Sequence, residues 1–372
     1  MAGIYLHIPF CKSRCIYCGF FSTTSLQKRH DYVDAVVEEL RQRRSFLANQ
    51  PIDTIYFGGG TPSQLPSDEL ERMLDAIYHL YNVREGAEVT LEGNPDDLTP
   101  SFLQRIRQMG VNRLSMGVQS FDDARLRFLH RRHTAAQAIQ AVRDVQAAGF
   151  TNLSIDLMFG FPGQTLDQWK QDVQTALSLQ VQHLSAYSLM YEEGTLLERM
   201  LSAGEITEVD EEVSLQMYEY LMDALEAAGY EHYELSNFAL PGRQSRHNSS
   251  YWHGIPYLGV GAGAHSYDGY DRFYHPDALE PYMADVLSLE VEHLSTHERY
   301  DEFVFTALRT SEGLSLSALE KQFGVAAKEY CLQNAQRHLK AGLLSHTGDI
   351  LCLTRHGLFI SNEVMSDLMW DE

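Results

Sequence analysis

The chain is poor in cysteine, in basic residues and in long apolar runs, and each shortage excludes a class of protein. Five cysteines in 372 residues are too few for a disulfide framework. Lysine and arginine number 29 against 51 acidic residues, and the formal net charge of −22 argues against a nucleic-acid partner. No apolar run reaches the length of a membrane span, and no basic segment precedes an apolar stretch near Met1. We therefore expect a cytoplasmic protein with neither an integral membrane segment nor a signal peptide.

Three of the five cysteines, Cys11, Cys15 and Cys18, lie within one CxxxCxxC run. Three thiolates in one short loop suit an iron–sulfur cluster better than a closed zinc site, which takes four ligands. A four-iron cluster held by three sulfurs keeps one iron open for a small molecule. The alternatives fit less well: a disulfide leaves one thiol unpaired, a zinc site needs His7 as a fourth ligand, and ordinary burial does not explain the spacing.

Short apolar runs alternate with amphipathic helical stretches along most of the chain. The runs are 3–10, 54–60, 88–95, 113–121, 152–160 and 183–190, with a seventh candidate at 232–239. Such alternation favours a parallel sheet, and the absence of a dinucleotide fingerprint favours a barrel over an open doubly wound sheet. We predict an α/β fold, with a partial (β/α)6-type barrel over residues 1–235. Three glycines follow helical stretches where left-handed caps are expected: Gly110, Gly149 and Gly229.

The pattern changes after the barrel. Residues 236–300 are predicted as a connecting region. Residues 301–372 follow the order helix, turn, helix and hairpin, which is typical of an α+β winged-helix-like domain. That fold binds DNA in other proteins, but the acidic charge balance favours contact with protein or cofactor here.

Cysteines, glycines, carboxylates and an amide occur where the predicted strands end. They are the cysteine loop, the turn 58–62, Glu92, Gln119 and Asp156. The C-terminal ends of barrel strands form one rim, where active sites lie. Each residue taken singly has an ordinary explanation as a tight turn, a helix cap or a bonded core amide. Their joint occurrence beside the cysteines indicates a functional site.

The cysteine run, with an aromatic residue before its third cysteine, resembles the radical S-adenosylmethionine (SAM) superfamily. Longer stretches, at 5–11, 58–62, 117–121 and 155–157, are similar to its coproporphyrinogen III dehydrogenase-like branch. The resemblance implies that Cys11, Cys15 and Cys18 hold a [4Fe–4S] cluster whose open iron chelates SAM. The SAM-binding residues that it implies are Tyr5, Gly59, Gly60, Thr61, Glu92, Gln119, Arg131, Asp156 and Met190.

This branch contains decarboxylating dehydrogenases and heme chaperones. The dehydrogenases have a further cysteine two residues after the third cluster cysteine, where this chain has Phe20, and a long extension before the first cysteine. The segment 247–252 instead matches the HNxxYW motif of the chaperones. The resemblance thus implies a protein that binds heme, with His247 as candidate ligand, and transfers it to respiratory apoproteins. His253, His265 and an internally bonded His247 are the alternatives.

Two other functions stay open. One is an oxygen-independent coproporphyrinogen III dehydrogenase that acts by radical oxidative decarboxylation. The other is a structural protein stabilised by zinc. A homodimer and a peripheral membrane contact are both compatible with the sequence.

Overall fold

Strands and helices alternate through the first half of the chain. The structure, a computed structural model, describes residues 2–370. The strands are β1 (Ala2–Ile8), β2 (Ile52–Gly59), β3 (Val83–Gly93), β4 (Arg113–Gln119), β5 (Leu153–Phe159), β6 (His183–Ser188), β7 (Glu231–Glu234), β8 (Asn237–Ala239), β9 (Tyr257–Val260), β10 (His265–Tyr267), β11 (Asp271–Tyr274), β12 (Glu290–His293), β13 (Leu314–Ser315), β14 (Leu344–Thr347) and β15 (Ile350–Leu353). The helices are α1 (Arg29–Gln42), α2 (Ser67–Leu80), α3 (Pro100–Gln108), α4 (Asp123–Phe128), α5 (Ala135–Ala147), α6 (Leu166–Ser178), α7 (Leu196–Ser202), α8 (Glu211–Ala227), α9 (Arg246–Trp252), α10 (Leu279–Ala284), α11 (Thr296–Leu308), α12 (Leu316–Phe323), α13 (Val325–Lys340), α14 (Arg355–Phe359) and α15 (Ser361–Ser366).

The helix ends agree with the capping signals in the sequence. Thr134 and Thr165 each begin a helix with a capping box, in which the threonine and a glutamine three residues later exchange hydrogen bonds. Gly110 and Gly149 follow α3 and α5 with φ of 97° and 84°, which confirms the predicted left-handed caps.

Within residues 2–370, twelve strands form one sheet in the order β12-β11-β10-β9-β1-β2-β3-β4-β5-β6-β8-β7. Strands β1 to β6 are parallel neighbours in chain order, and helices separate them along the sequence. This arrangement confirms the predicted partial (β/α)6 barrel. Among the described residues, no helix is long and apolar enough to cross a membrane.

The seventh candidate strand, 232–239, does not add a further parallel unit. It folds as the antiparallel hairpin β7–β8, and β8 runs antiparallel to β6. Its two strands are joined by only two residues, and a parallel connection needs a crossover of a dozen or more. The stretch 236–300, predicted as a connecting region, extends the sheet instead: β9 pairs parallel with β1, and β10 to β12 continue antiparallel.

Alternate residues of the barrel strands face opposite sides. In β1, Ile4, Leu6 and Ile8 belong to the apolar core, whereas Tyr5 and His7 bond to each other on the other side. The remaining barrel strands repeat the pattern, with polar side chains opposite the core at Thr54, Tyr56, Glu88, Thr90, Glu92, Arg113, Ser115, Ser154, Asp156, His183 and Ser185. Parallel strands covered on both faces are usually apolar throughout. The barrel interior is therefore a polar chamber lined by hydrogen-bonding groups.

The C-terminal region has its own apolar core, built around residues such as Tyr300, Leu319 and Leu351. Its element order is α11, β13, α12, α13, β14 and β15, and the three strands form a separate sheet in the order β13-β15-β14. This is the predicted winged-helix-like arrangement. Arg309 joins the region to the barrel, with an ion pair to Glu234 at 3.2 Å.

A buried carboxylate fastens the sheet extension to the first helix. Glu39, which is fully buried, accepts hydrogen bonds from Arg43 at 2.7 Å and His275 at 2.9 Å. Its other oxygen accepts from Tyr282 at 2.7 Å and from the backbone N–H of Gly261 at 2.9 Å. Glu39 thus joins α1 to Gly261, His275 and Tyr282 of the extension, and its removal would leave these buried groups without this acceptor.

Replacing Glu39 should therefore destabilise the fold strongly. We expect Glu39→Ala to lower the free energy of unfolding by about 3–5 kcal/mol, because Arg43 would stay buried without a counter-charge and His275 would lose the hydrogen-bond partner of its Nε2. Chemical denaturation followed by circular dichroism measures this. The neighbouring Glu38→Ala is the matched control, since the side chain of Glu38 is 44% exposed and bonds only to residues of its own helix. Similar stabilities for the two variants would contradict the network's role.

Candidate functional site

The loop that carries the three cysteines follows β1 at the C-terminal end of the barrel. Backbone hydrogen bonds hold it on several sides: Cys11 N–H donates to Thr23 O at 2.9 Å, and Ile16 N–H donates to Leu129 O at 3.3 Å. The N–H of Leu197, in α7, donates to Ile16 O at 3.0 Å. The loop is thus tied to the segments that follow β4 and β6, and its conformation depends on the whole rim.

All three loop cysteines are free thiols of intermediate exposure. Cys11 Sγ lies 3.3 Å from Thr61 Oγ1, and Arg131 Nη1 lies 3.5 Å from Cys15 Sγ. Burial raises the pKa of both Cys11 and Cys18, so a thiolate at either position needs a compensating positive charge. Iron would supply that charge directly.

No three His, Cys, Asp or Glu side chains between residues 2 and 370 are close enough together to hold a single metal ion. A cluster spreads its protein ligands over several irons, so its three thiolates stand farther apart than the ligands of one ion. A set of three thiols in one loop therefore fits a cluster in its chemistry.

Two glycines let the turn after β2 approach this loop. A Cβ at Gly60 would lie 3.1 Å from Cys11 Sγ and 2.9 Å from the carbonyl oxygen of Ile8. Gly59 has a φ of 104°, and a Cβ there would come within 2.7 Å of the ring of His7. Both positions consequently exclude larger residues.

A guanidinium connects the rim elements. Arg131 Nη2 donates to Asn94 Oδ1 at 2.7 Å and to the carbonyl oxygen of Gly117. Asn94 Nδ2 in turn donates to Thr61 Oγ1 at 3.4 Å. The predicted residues Cys11, Thr61 and Arg131 are thus brought into one network. Asn94, which follows β3 and links Arg131 to Thr61 in this network, was not among the predicted site residues.

Two carboxylates lie in the polar chamber below the rim. Burial raises the pKa of Glu92 to about 7, and the charge of Asp156 adds to the rise while the hydrogen bond from Tyr56 at 2.7 Å opposes it. Burial likewise raises the pKa of Asp156 to about 6, against the lowering effects of Ser185 and Arg113. Both groups therefore change charge near neutral pH, as acids poised for a ligand do.

Arg113 is the chamber's buried cation, and sequence reasoning missed it. It is 1% exposed, and its Nε has no hydrogen-bond partner within the described chain. The signal in the sequence was the alternation of polar and apolar residues in β4, which is unusual for a parallel strand.

Tyr5 and His7 link the chamber to the cysteine loop. His7 Nε2 donates to the carbonyl oxygen of Phe21 at 3.0 Å, so its Nδ1 accepts from the hydroxyl of Tyr5 at 3.2 Å. Burial lowers the pKa of His7, which keeps the ring neutral and this tautomer in place. The ring of Tyr5 also stacks on Tyr56 at 6.1 Å.

The remaining two predicted SAM residues differ in their surroundings. Gln119, at the end of β4, is buried and has a φ of 71°, a conformation that non-glycine residues rarely adopt. Its amide lies near Gly117 and Arg131: a Cβ at Gly117 would come within 2.9 Å of Gln119 Nε2. Met190 lies in the segment after β6 and is 59% exposed.

His247 lies at the opposite end of the barrel, away from the cysteine loop. It is fully buried, with Nδ1 at 2.8 Å from Thr54 Oγ1 and Nε2 at 2.7 Å from the hydroxyl of Tyr251. Its backbone N–H donates to Glu88 at 3.1 Å, so α9 closes this end of the chamber. A heme ligand needs a nitrogen with a free lone pair, and in this arrangement both ring nitrogens of His247 are bonded internally.

Sequence profiles of two families match the chain: the radical SAM superfamily over residues 5–176 and the HemN C-terminal domain over residues 294–360. The solved structure of the radical SAM enzyme coproporphyrinogen III oxidase (HemN) from Escherichia coli has the same fold. Its TM-score is 0.87 at 22% identity, over 99% of this chain and 90% of that one. The fold and the site therefore define a radical SAM protein, a class that implies a [4Fe–4S] cluster and SAM.

Closer relatives narrow this class. The heme chaperone HemW of Lactococcus lactis is 34% identical over 99% of this chain and 97% of its own length. That of Mycobacterium tuberculosis H37Rv is 36% identical over 99% and 94%. A zebrafish (Danio rerio) relative, the mitochondrial radical S-adenosyl methionine domain-containing protein 1, is 33% identical over 84% and 74%. The chain belongs to the HemW family.

The shifted pKa of Glu92 leads to a stability prediction. A carboxylate whose pKa is higher in the folded state stabilises the protein when protonated, and that contribution is lost as the pH rises. At about 1.4 kcal/mol per pKa unit, the loss between pH 4.5 and pH 7.5 is on the order of 2–3 kcal/mol. We expect Glu92→Gln to flatten the dependence of the unfolding free energy on pH over this range, as measured by denaturation at each pH.

The control is Glu85→Gln, because Glu85 is an exposed carboxylate near the start of β3, the strand that also carries Glu92. Equal pH slopes for the wild type and Glu92→Gln would mean that folding does not raise the pKa of Glu92.

Proposed function

We propose that this protein is a heme chaperone of the cytoplasm that binds heme and transfers it to respiratory apoproteins, built on a [4Fe–4S]/SAM scaffold. The observation that carries the proposal is the similarity to proteins named heme chaperone HemW, at 33–36% identity over nearly the whole of both chains in several bacteria. The free state of all five thiols supports the reducing compartment.

Cys11, Cys15 and Cys18 are proposed to hold the cluster through three of its irons. Arg131 beside Cys15 would offset part of the thiolate charge, and Thr61 would donate to Cys11. When bound, the cluster and SAM together supply reductive cleavage of the SAM sulfonium bond. The residues of the rim would hold SAM beside the cluster.

Cluster loading tests this assignment. Protein purified without oxygen should contain about four irons per chain and absorb broadly in the visible. We expect Cys15→Ala to lose most of that iron, because two thiolates cannot hold the cluster firmly. Cys352→Ala is the control, since Cys352 is also a free cysteine of intermediate exposure but lies in the C-terminal domain. Stoichiometric zinc in colourless wild-type protein would contradict the cluster.

The SAM site is proposed to combine rim and chamber. Gly59, Gly60 and Thr61 would meet the methionine amino group and Arg131 its carboxylate. The ribose and sulfonium end would face Tyr5, Glu92, Gln119 and Asp156, and the backbone of Met190 would meet the adenine. A cationic ligand with a diol suits carboxylates held near neutrality, because it favours their ionised form.

Two isosteric substitutions test the SAM site. Glu92→Gln and Asp156→Asn should each weaken SAM binding to the cluster-loaded protein by about ten-fold, since each removes a charged hydrogen-bond acceptor without changing size. Anaerobic equilibrium dialysis with labelled SAM measures the affinity, with Glu85→Gln as control. Unchanged affinity in both variants would show that SAM binds elsewhere.

The competing function is that of a coproporphyrinogen III dehydrogenase, and the structure bears on it at Phe20. This residue replaces the additional cysteine expected of such enzymes, and its side chain is 69% exposed beside the cluster loop. We predict that the protein produces a Soret shift with ferric heme and leaves coproporphyrinogen III unchanged in the presence of SAM and reductant. Chromatography of the porphyrins after anaerobic incubation decides between the chaperone and the dehydrogenase. Robust decarboxylation of coproporphyrinogen III would favour the dehydrogenase.

A further inference from the structure

A second cavity lies outside the barrel, between the helix that bears the HNxxYW motif and the C-terminal domain. Its volume is about 510 Å³, within the usual range for small-molecule sites. One wall comes from the end of α9 and from β9 to β11, and the other comes mainly from α11 and the turn after it. Because α9 closes the barrel end opposite the cysteine loop, the cavity lies on the far side of the barrel from the cluster.

Aromatic side chains line this cavity on both walls. Trp252, Tyr257 and Tyr267 contribute from the barrel side, and Phe303 contributes from α11. Such a lining suits a flat aromatic ligand, since ring faces stack on extended π systems.

Two arginines, Arg272 and Arg299, line the same cavity together with two carboxylates, Glu302 and Glu312. Arg299 Nε is buried without a hydrogen-bond partner within residues 2–370, and its Nη2 makes only a 3.4 Å contact, to Thr296. Arg272 pairs with Glu302 at 2.7 Å. An arginine fork that lacks partners on one side is suited to a carboxylate.

One histidine in the cavity is arranged as metal-binding histidines usually are. His253 Nδ1 lies 2.7 Å from the backbone carbonyl of Ser249, so it carries the proton and Nε2 points outward. Nε2 meets only the carboxylate of Glu312, at 3.0 Å, and the side chain of Glu312 is 72% exposed. That carboxylate can swing into solvent, and Nε2 would then have to release its proton to solvent before its lone pair could bind iron.

We propose that this cavity is the heme site, with His253 Nε2 as an axial ligand and Arg272 and Arg299 facing the propionates. The inference rests on the proposed chaperone function and gives the site a location. It assigns His247 a structural role, since both of its ring nitrogens bond within the barrel. It also gives the winged-helix-like domain a role, because α11 and the turn after it form one wall of the cavity.

The test titrates the full-length protein with ferric heme and, separately, with iron-free protoporphyrin IX. We expect His253→Ala to weaken heme binding at least ten-fold and to remove its Soret shift, while the affinity for the iron-free porphyrin stays the same. Added imidazole should restore the Soret shift in His253→Gly. Arg299→Gln should weaken both ligands, because both carry propionates. His346→Ala, an exposed histidine on β14 outside the cavity, should match the wild type.

The outcomes separate this site from the function itself. Wild-type protein that fails to bind heme would defeat the chaperone proposal and the site with it. Heme binding that persists unchanged in His253→Ala and Arg299→Gln would leave the chaperone proposal standing and overturn this cavity. A loss of iron-free porphyrin binding in His253→Ala would also overturn the ligand assignment, because the substitution would then act on the cavity and not on iron.

Discussion

Glu92, Asp156 and Arg113 lie together inside the barrel, where an ionised group loses its hydration and is costly to bury. The chamber offsets that cost with hydrogen bonds from Tyr56 and Ser115 and with the opposite charge of Arg113. These interactions do not fully compensate for the lost hydration, so the pKa of both carboxyl groups remains raised by burial. The chamber can therefore change its charge when a ligand arrives. A cationic small molecule at the rim is the kind of ligand that such an interior favours.

The two ends of the barrel are joined by a column of rings. His247 stacks on Tyr56 with ring centroids 5.0 Å apart, and Tyr56 stacks on Tyr5 at 6.1 Å. Tyr5 then bonds to His7, which bonds to the cysteine loop at Phe21. The motif helix at one end and the cluster loop at the other are thus parts of one packed interior. A substitution at His247 is expected to disturb the barrel as well as its own loop, so heme measurements on such a variant need a folding control.

The C-terminal domain contacts the barrel next to the motif helix. Arg309 lies 4.6 Å above the ring of Trp252 and pairs with Glu234, so the junction combines a cation–π contact with an ion pair. This contact keeps the domain beside α9 and maintains the cavity between them. The cavity that the domain completes is lined by aromatic rings and by two arginines and two carboxylates, Arg272, Arg299, Glu302 and Glu312.

The sequence by itself determined the fold class, the six barrel units, the cysteine loop and the family. These follow from local information: short apolar runs that alternate with helical stretches, a fixed cysteine spacing and glycines at turns. It also indicated most of the rim, because residues at the ends of parallel strands must meet on one side of a barrel.

Tertiary structure decided what depends on distant residues. The hairpin at 232–239 looked like another parallel strand, and only its pairing with β6 revealed its direction. Asn94 and Arg113 were recognised as parts of the site only from the residues that lie near them in the folded chain. The internal bonding of His247 comes from Thr54, which lies almost two hundred residues away in the chain. The cavity beside His253 exists because α9 and α11, far apart in sequence, pack side by side, and no local pattern encodes such a meeting.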